Sequence, residues 1–502
     1  MIKSLLKNST SNAMVPILRL CITFVMAPLI IKALGNYDYG IWEIAFSVVG
    51  YMGILDLGLQ PAIVRYVARY NAMGEGARLR KIYSSSLLFM TLMGILILLF
   101  FIAWAIFAPG LLAEKAADSS TYKIFLLIIG AQAFFTFTGS VFECFHEGFQ
   151  RYNLRNTVTI VSMLAGNVVL FFLLQRGYGL LTLALVNTVG MSTKYLLYGI
   201  LLGFPRFGGF RFQGSDLSWE SLKELFVFGS QSLTQAIAGR ISMATDAIII
   251  GSFLGPVAVV YFVIPSNLIN HIRTLSWSMT RALMPLFSDL DARGERENSA
   301  KILMVGSRYV VGFLMPALVS ACFLGPPFIA RWIGAEYAEK GKWVLYIFAA
   351  AYAIQWMNPF SNRLLTGIGK QAILAKISTI SAAFNILLSV ILVQLLDKEG
   401  VALGTFIPYL VFEPIILYYT CKYIDRNIVQ YLQEVIRPLV IPNLLLAAML
   451  WFMTSNFGVN SYFSILTIAS ASFSVYTILF YVLSVGKEEQ RFILSKLKER
   501  FA

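Results

Sequence analysis

Residues 14–70 read MVPILRLCITFVMAPLIIKALGNYDYGIWEIAFSVVGYMGILDLGLQPAIVRYVARY. Two apolar runs flank a short turn between Gly35 and Gly40, and each run is long enough to cross a bilayer, which takes about 20 mostly apolar residues. The first run contains Arg19 and the second contains Asp56. A charge near the bilayer centre costs at least about 2.5–3.5 kcal/mol, so such residues usually face a partner or a watery cavity. The stretch therefore predicts helices of a transport pathway rather than simple anchors.

The composition of the whole chain agrees with a membrane location. Of its 502 residues 58% are hydrophobic and 13% are charged, whereas soluble domains average about 25% charged residues. The apolar runs are continuous, which indicates helices and excludes the alternating strands of about 10 residues found in membrane barrels. The predicted fold class is therefore an all-α integral membrane protein with about 14 transmembrane helices.

The net charge of +14 is explained by the positive-inside rule, and we expect no nucleic-acid partner. With a cytoplasmic N-terminus, alternating spans place 27 Lys and Arg residues on the inner side and 8 on the outer side. This bias predicts an even number of spans, with both termini in the cytoplasm.

A glycine-rich segment and a faint internal repeat suggest two halves. Leu34-Gly35 follows the first span, and Leu254-Gly255 follows the seventh at an offset of 220 residues. Halves with even span numbers would be related by a pseudo-twofold axis along the membrane normal. The predicted organisation is an N-terminal six-helix lobe at 1–205, a cytoplasmic linker at 206–222, a C-terminal six-helix lobe at 223–420, two peripheral spans within 435–485 and a basic amphipathic tail at 486–502.

Cations inside the apolar runs are the candidate substrate-binding residues. Arg19 and Arg240 occupy comparable places in the two halves, and Arg273 lies near a span end, where it could also snorkel to the interface. Guanidinium groups suit phosphate oxygens, and amides such as Asn167 and Asn187 could contact sugar hydroxyls. The alternative interpretation is structural, with the charges paired between helices and each amide in an interhelical hydrogen bond.

Two embedded acids, Asp56 and Asp246, are candidates for proton or sodium coupling, with a static contact between helices as the alternative. Catalysis is not expected. His146 and His271 are the only histidines, no metal-ligand cluster and no Walker A motif is present, and no outer loop is large. We therefore predict no catalytic residue, no metal and no cofactor.

The opening stretch resembles the N-terminal signature of bacterial polysaccharide (O-antigen-type) flippases, which belong to the multidrug/oligosaccharidyl-lipid/polysaccharide exporter superfamily. The positions that match are Pro28-Leu29-Ile30, Leu34-Gly35, Tyr39-Gly40, Trp42, Asp56-Leu57-Gly58 and Arg65-Tyr66. The resemblance implies a V-shaped bundle of twelve to fourteen helices with a central cavity. It also implies that Arg19 stands where related flippases carry a first-helix cation.

The resemblance implies that the chain lies in the inner membrane of a bacterial cell. It also implies that the chain flips polyprenyl-diphosphate-linked oligosaccharide from the cytoplasmic to the outer leaflet by alternating access. Its expected partners are that lipid-linked sugar, the membrane lipids and proteins of polysaccharide assembly. Two alternatives stay open. A multidrug exporter of the same fold would favour an acidic cavity for cationic drugs, and a polysaccharide polymerase or ligase would need catalytic residues on a substantial outer loop.

Overall fold

The structure is a computed structural model that describes residues 2–111, 120–280, 283–491 and 495. Within these ranges it places side chains except for residues 2–13, 111, 231–236, 238–243 and 277–278. The described residues form helices and no strands, which confirms the all-α prediction. This follows from the apolar composition, because in hydrocarbon a helix satisfies its own backbone polar groups. Most of the predicted amphipathic tail, from residue 492 onward, lies outside the described residues apart from Ser495.

The chain divides into two compact units, 1–260 and 261–502. Helices of the first unit are α1 (Ile2–Met52), α2 (Leu59–Ala72), α3 (Gly76–Phe107), α4 (Ser120–Gly148), α5 (Tyr152–Gln175), α6 (Leu180–Gly203) and α7 (Trp219–Leu254). Helix α8 (Pro256–Thr280) begins there and continues into the second unit. The second unit adds α9 (Leu283–Ala292), α10 (Arg296–Trp332), α11 (Ala335–Trp356), α12 (Ser361–Gly367), α13 (Gln371–Tyr423), α14 (Ile428–Tyr431), α15 (Arg437–Asn456) and α16 (Tyr462–Leu483).

Short elements fill several connections. In the described part of the chain, four 3₁₀ helices cover Gly53–Asp56, Pro109–Leu111, Pro205–Phe207 and Gly214–Asp216, and a π-helical turn at Leu432–Ile436 joins α14 to α15. Nine helical segments of the described chain are long and apolar enough to cross a membrane. Two of them are interrupted, α1 at Gly35 and α13 at Leu396 and Asp397. The chain is a multi-pass membrane protein, and the count of fourteen spans stays a prediction.

The two glycines of the predicted repeat adopt the same backbone conformation. Gly35 has φ 74° and ψ 171°, and Gly255 has φ 83° and ψ 170°. This region of backbone space is essentially restricted to glycine. Each glycine ends one long helix and starts the next, as the repeat predicts for these positions, while the two-lobe organisation as a whole stays a prediction.

Helix α7 packs within the first unit, although the sequence places it at the start of the second lobe. The Gly58 backbone approaches Gly229 so closely that an added Cβ would lie 2.4 Å from the Gly229 carbonyl oxygen. Elsewhere in the contact between α2 and α7, the Tyr70 hydroxyl of α2 donates to the Glu224 carboxylate of α7 at 2.7 Å. The boundary between the compact units follows α7, and the linker predicted at 206–222 stays a prediction.

In the second unit the last two helices pack on α10. Leu450 of α15 and Tyr476 of α16 are buried in one cluster with Leu324 of α10, and the Tyr476 hydroxyl donates to the Gly312 carbonyl at 2.8 Å. The beginning of the tail is anchored to the same helix by an ion pair between Arg308 and Glu489 at 2.5 Å.

Candidate functional site

Three helices of the first unit enclose a cavity of about 230 Å³ that contains Arg19. Arg19 projects from α1, Asn167 from α5, and Asn187 and Lys194 from α6. The remaining lining residues are small or apolar apart from Thr159 and Ser162 of α5. We call this space the Arg19 cavity. It combines two cations with amide and hydroxyl groups, which can bind phosphate oxygens and sugar hydroxyls.

Helix α4 fixes the position of Lys194. Gly139 of α4 faces Tyr195, with space for no larger residue because an added Cβ would lie 2.3 Å from the tyrosine side chain. This close approach of α4 and α6 is typical of small residues in membrane helices. One turn further along α4, Glu143 meets the Lys194 ammonium at 3.3 Å.

Glu143 also belongs to a chain of alternating charges. Its second oxygen lies 3.9 Å from the Arg155 guanidinium, which pairs with Glu147 at 2.5 Å. The Lys194 ammonium lies 4.0 Å from the centre of the Tyr195 ring. Two acids therefore balance the two cations Lys194 and Arg155, and this pairing makes the burial of Lys194 tolerable.

Arg19 is different, because among the described residues it has no carboxylate partner and no hydrogen bond. Its side chain is exposed to the cavity. Since the neighbouring Lys194 is already paired, the positive charge of Arg19 is left uncompensated by described protein groups. The Arg19 cavity therefore has a positive character that favours an anion.

The two amides in the cavity bond within their own helices. Asn167 donates to the Met163 carbonyl at 2.8 Å, and Asn187 donates to the Leu183 carbonyl at 2.9 Å. Neither contact joins two helices, so these two residues do not serve as the interhelical connections considered as the structural alternative. Their carbonyl oxygens are hydrogen-bond acceptors of the kind that sugar hydroxyls use.

Arg273 lies in the second unit and contacts an aromatic residue. Its guanidinium donates to the Tyr352 hydroxyl at 3.2 Å and lies 5.8 Å from the ring centre. The Tyr352 hydroxyl in turn donates to Asn270 at 3.4 Å. Arg240 is on α7, but its side chain lies outside the described residues. That Arg19, Arg240 and Arg273 bind one substrate stays a prediction.

The two embedded acids have contrasting surroundings. Asp56 is 6% exposed and accepts hydrogen bonds from the Gly58 amide at 2.8 Å and from Gln60 at 3.3 Å. It thereby bridges the break between α1 and α2, where Leu57 and Gly58 have positive φ. These contacts give Asp56 a structural task, and its role in coupling stays a prediction.

Asp246, on α7, is equally buried at 6% exposure, yet its Oδ1 atom has no hydrogen-bond partner in the described part of the chain. Its neighbour Thr245 bonds to Tyr51 of α1. A buried, incompletely bonded carboxylate is uncommon unless it has a task. Asp246 is therefore the better coupling candidate of the two, on geometric grounds.

Sequence reasoning did not select Lys194 as a site residue. Its partner Glu143 is distant in the sequence, at a separation of 51 residues, so the pairing needs the packing of α4 on α6. A charged residue after the small residues Gly190, Ser192 and Thr193 was the available signal.

Comparisons with known proteins find several that are similar to this chain in sequence or in structure. A provisionally named O-antigen transporter of Shigella flexneri is 21% identical over 385 residues, which cover 74% of this chain and 87% of that protein. The inward closed structure of the lipid II flippase MurJ has a TM-score of 0.69 at 14% identity, covering 95% of this chain and 98% of that chain.

A multidrug transporter of the MATE family in an inward-facing conformation has a TM-score of 0.65 at 16% identity, covering 80% and 94% of the two chains. These likenesses establish the fold. The sequence profile of the family described as "Polysaccharide biosynthesis protein" matches residues 5–291, more than half of the chain. The chain therefore belongs to the polysaccharide biosynthesis protein family of membrane proteins.

Proposed function

We propose that the chain flips a lipid-diphosphate-linked oligosaccharide from the cytoplasmic to the outer leaflet of the bacterial inner membrane by alternating access. The observation that carries this proposal is the unpaired Arg19 in a cavity with Lys194 and two asparagines. A diphosphate is an anion that a guanidinium fork binds well, and the asparagines are placed for the first sugars. Family membership and the name of the Shigella flexneri relative support the same substrate class.

The finer parts of the proposal follow from the sequence. Both termini are cytoplasmic because the basic residues concentrate on one side. The chain acts as a transporter without a catalytic step, and its partners are the lipid-linked sugar, membrane lipids and proteins of polysaccharide assembly. The positive Arg19 cavity argues against export of cationic drugs, although the MATE transporter shares the fold.

Export of surface polysaccharide in cells tests the proposal. We expect Arg19→Ala to abolish export while the amount of protein in the membrane stays normal, since the diphosphate loses its unpaired cation. Arg19→Lys should restore part of the export, because a point charge attracts phosphate without the bidentate fork. Arg176→Ala is the matched control, because Arg176 ends α5 outside the cavity. Normal export by Arg19→Ala would contradict the proposal.

A further inference from the structure

A second space opens between α5 and α6 beside the Arg19 cavity. It has a volume of about 310 Å³ and is lined mainly by apolar side chains, among them Val169, Leu185 and Val189. Val169 and Val189 are both exposed, so this groove is open to the surroundings of the two helices. We call it the α5/α6 groove.

The groove and the Arg19 cavity adjoin each other. Ser162 and Gly166 of α5, with Val186 and Gly190 of α6, line both spaces. A polar, positively charged compartment therefore borders an apolar one. Together, the Arg19 cavity and the α5/α6 groove are complementary to an amphiphile with an anionic head and a hydrocarbon tail.

Two glycines keep the groove open. A Cβ added at Gly166 or Gly190 would meet no atom within 4 Å, although both residues lie inside helices, where glycine is less favourable than alanine. Other glycines in the same bundle have a packing reason, such as Gly139 against Tyr195 and Gly199 against Phe142. No neighbouring atom of the structure requires Gly166 and Gly190 to be small, so the space they leave is the groove itself.

We propose that the α5/α6 groove holds the first isoprenoid units of the lipid carrier while its diphosphate lies in the Arg19 cavity. This inference rests on the proposed function and adds a route for the tail along the first unit. The occupant is the substrate's own tail, because the groove connects to the cation that binds its head. In hydrocarbon a tail gains little from merely leaving lipid. The groove therefore acts by fixing the tail beside the bound head, and a side chain that fills the groove weakens binding because it forces the tail away from this position.

The test compares binding of two probes to the purified full-length protein in detergent by native mass spectrometry. Undecaprenyl diphosphate has the long tail, and isopentenyl diphosphate has the same head with a five-carbon tail. We expect Ala165→Trp and Val189→Trp, at positions that line the groove but not the Arg19 cavity, to bind undecaprenyl diphosphate about tenfold or more weakly, about 1.4 kcal/mol or more. Both variants should bind isopentenyl diphosphate as the wild type does.

Controls separate the groove from the cavity and from folding. Val168→Leu adds bulk to α5 away from both spaces and should bind both probes normally. Val189→Leu fills less of the groove and should weaken only the long probe, by less than Val189→Trp. Arg19→Ala should weaken both probes.

Several outcomes would overturn the inference. Normal binding of undecaprenyl diphosphate by both tryptophan variants would exclude the tail from the groove. Equal loss of both probes would assign Ala165 and Val189 to the head site. If phosphatidylglycerol competes for the groove as effectively as undecaprenyl diphosphate does, the groove is a site for ordinary bilayer lipid. If the wild-type protein binds neither probe, the proposed function fails, and the tail site fails with it.

Discussion

Replacing Asp56 with alanine tests whether this acid holds the break between α1 and α2. The change removes the hydrogen bonds from the Gly58 amide at 2.8 Å and from Gln60 at 3.3 Å. Hydrogen bonds to charged groups contribute about 1.5–3 kcal/mol each to stability. The longer bond, from Gln60, contributes an amount at or below the lower limit of this range. We therefore expect Asp56→Ala to lower the free energy of unfolding by about 2–4 kcal/mol.

Asp246→Ala is the matched control, since it removes the same atoms from a position of equal burial. Because Oδ1 of Asp246 accepts no hydrogen bond from the described residues, we expect a loss of less than about 1 kcal/mol. The assay is unfolding of both purified variants in one detergent, followed by tryptophan fluorescence. Equal destabilisation by the two substitutions, or an Asp56→Ala variant as stable as the wild type, would refute the structural assignment of Asp56.

Further expectations concern coupling and the two helix breaks. If Asp246 couples transport to an ion gradient, Asp246→Asn should lose the gradient-dependent part of flipping in vesicles and keep the slow gradient-independent part. Full gradient-driven flipping by this variant would rule the coupling out. Gly35→Ala and Gly255→Ala should each lower the unfolding free energy by about 1–3 kcal/mol, because both positions need a backbone conformation reserved for glycine. Gly166→Ala, at an open helical position, should not destabilise the protein, and equal losses at all three sites would contradict this reasoning.

The sequence predicts the helical membrane fold well because its signal is local. Long apolar runs determine the spans, and the Leu-Gly pairs at Gly35 and Gly255 mark two breaks that the structure shows with matching dihedral angles. Apolar context also pointed to Asn167 and Asn187, which the structure brings to the Arg19 cavity.

What the sequence could not supply depends on packing between distant helices. The pairing of Lys194 with Glu143 requires the close approach that Gly139 permits. The hydrogen bonds of Asp56 require the turn at Gly58, so from sequence alone Asp56 and Asp246 look equivalent. Gly166 and Gly190 resemble any other helical glycine until the empty space beside them is visible.

The central claim is that Arg19 binds the diphosphate during flipping, and reconstituted vesicles test it directly. A fluorescent polyprenyl-diphosphate oligosaccharide is placed in one leaflet, and its arrival in the other is followed for the wild type, Arg19→Ala, Arg19→Lys and Arg176→Ala. We expect Arg19→Ala to flip on the order of tenfold or more slowly, as for the loss of a strong charge-assisted hydrogen bond. Arg19→Lys should be intermediate and Arg176→Ala normal. Flipping by Arg19→Ala at the wild-type rate would contradict the claim.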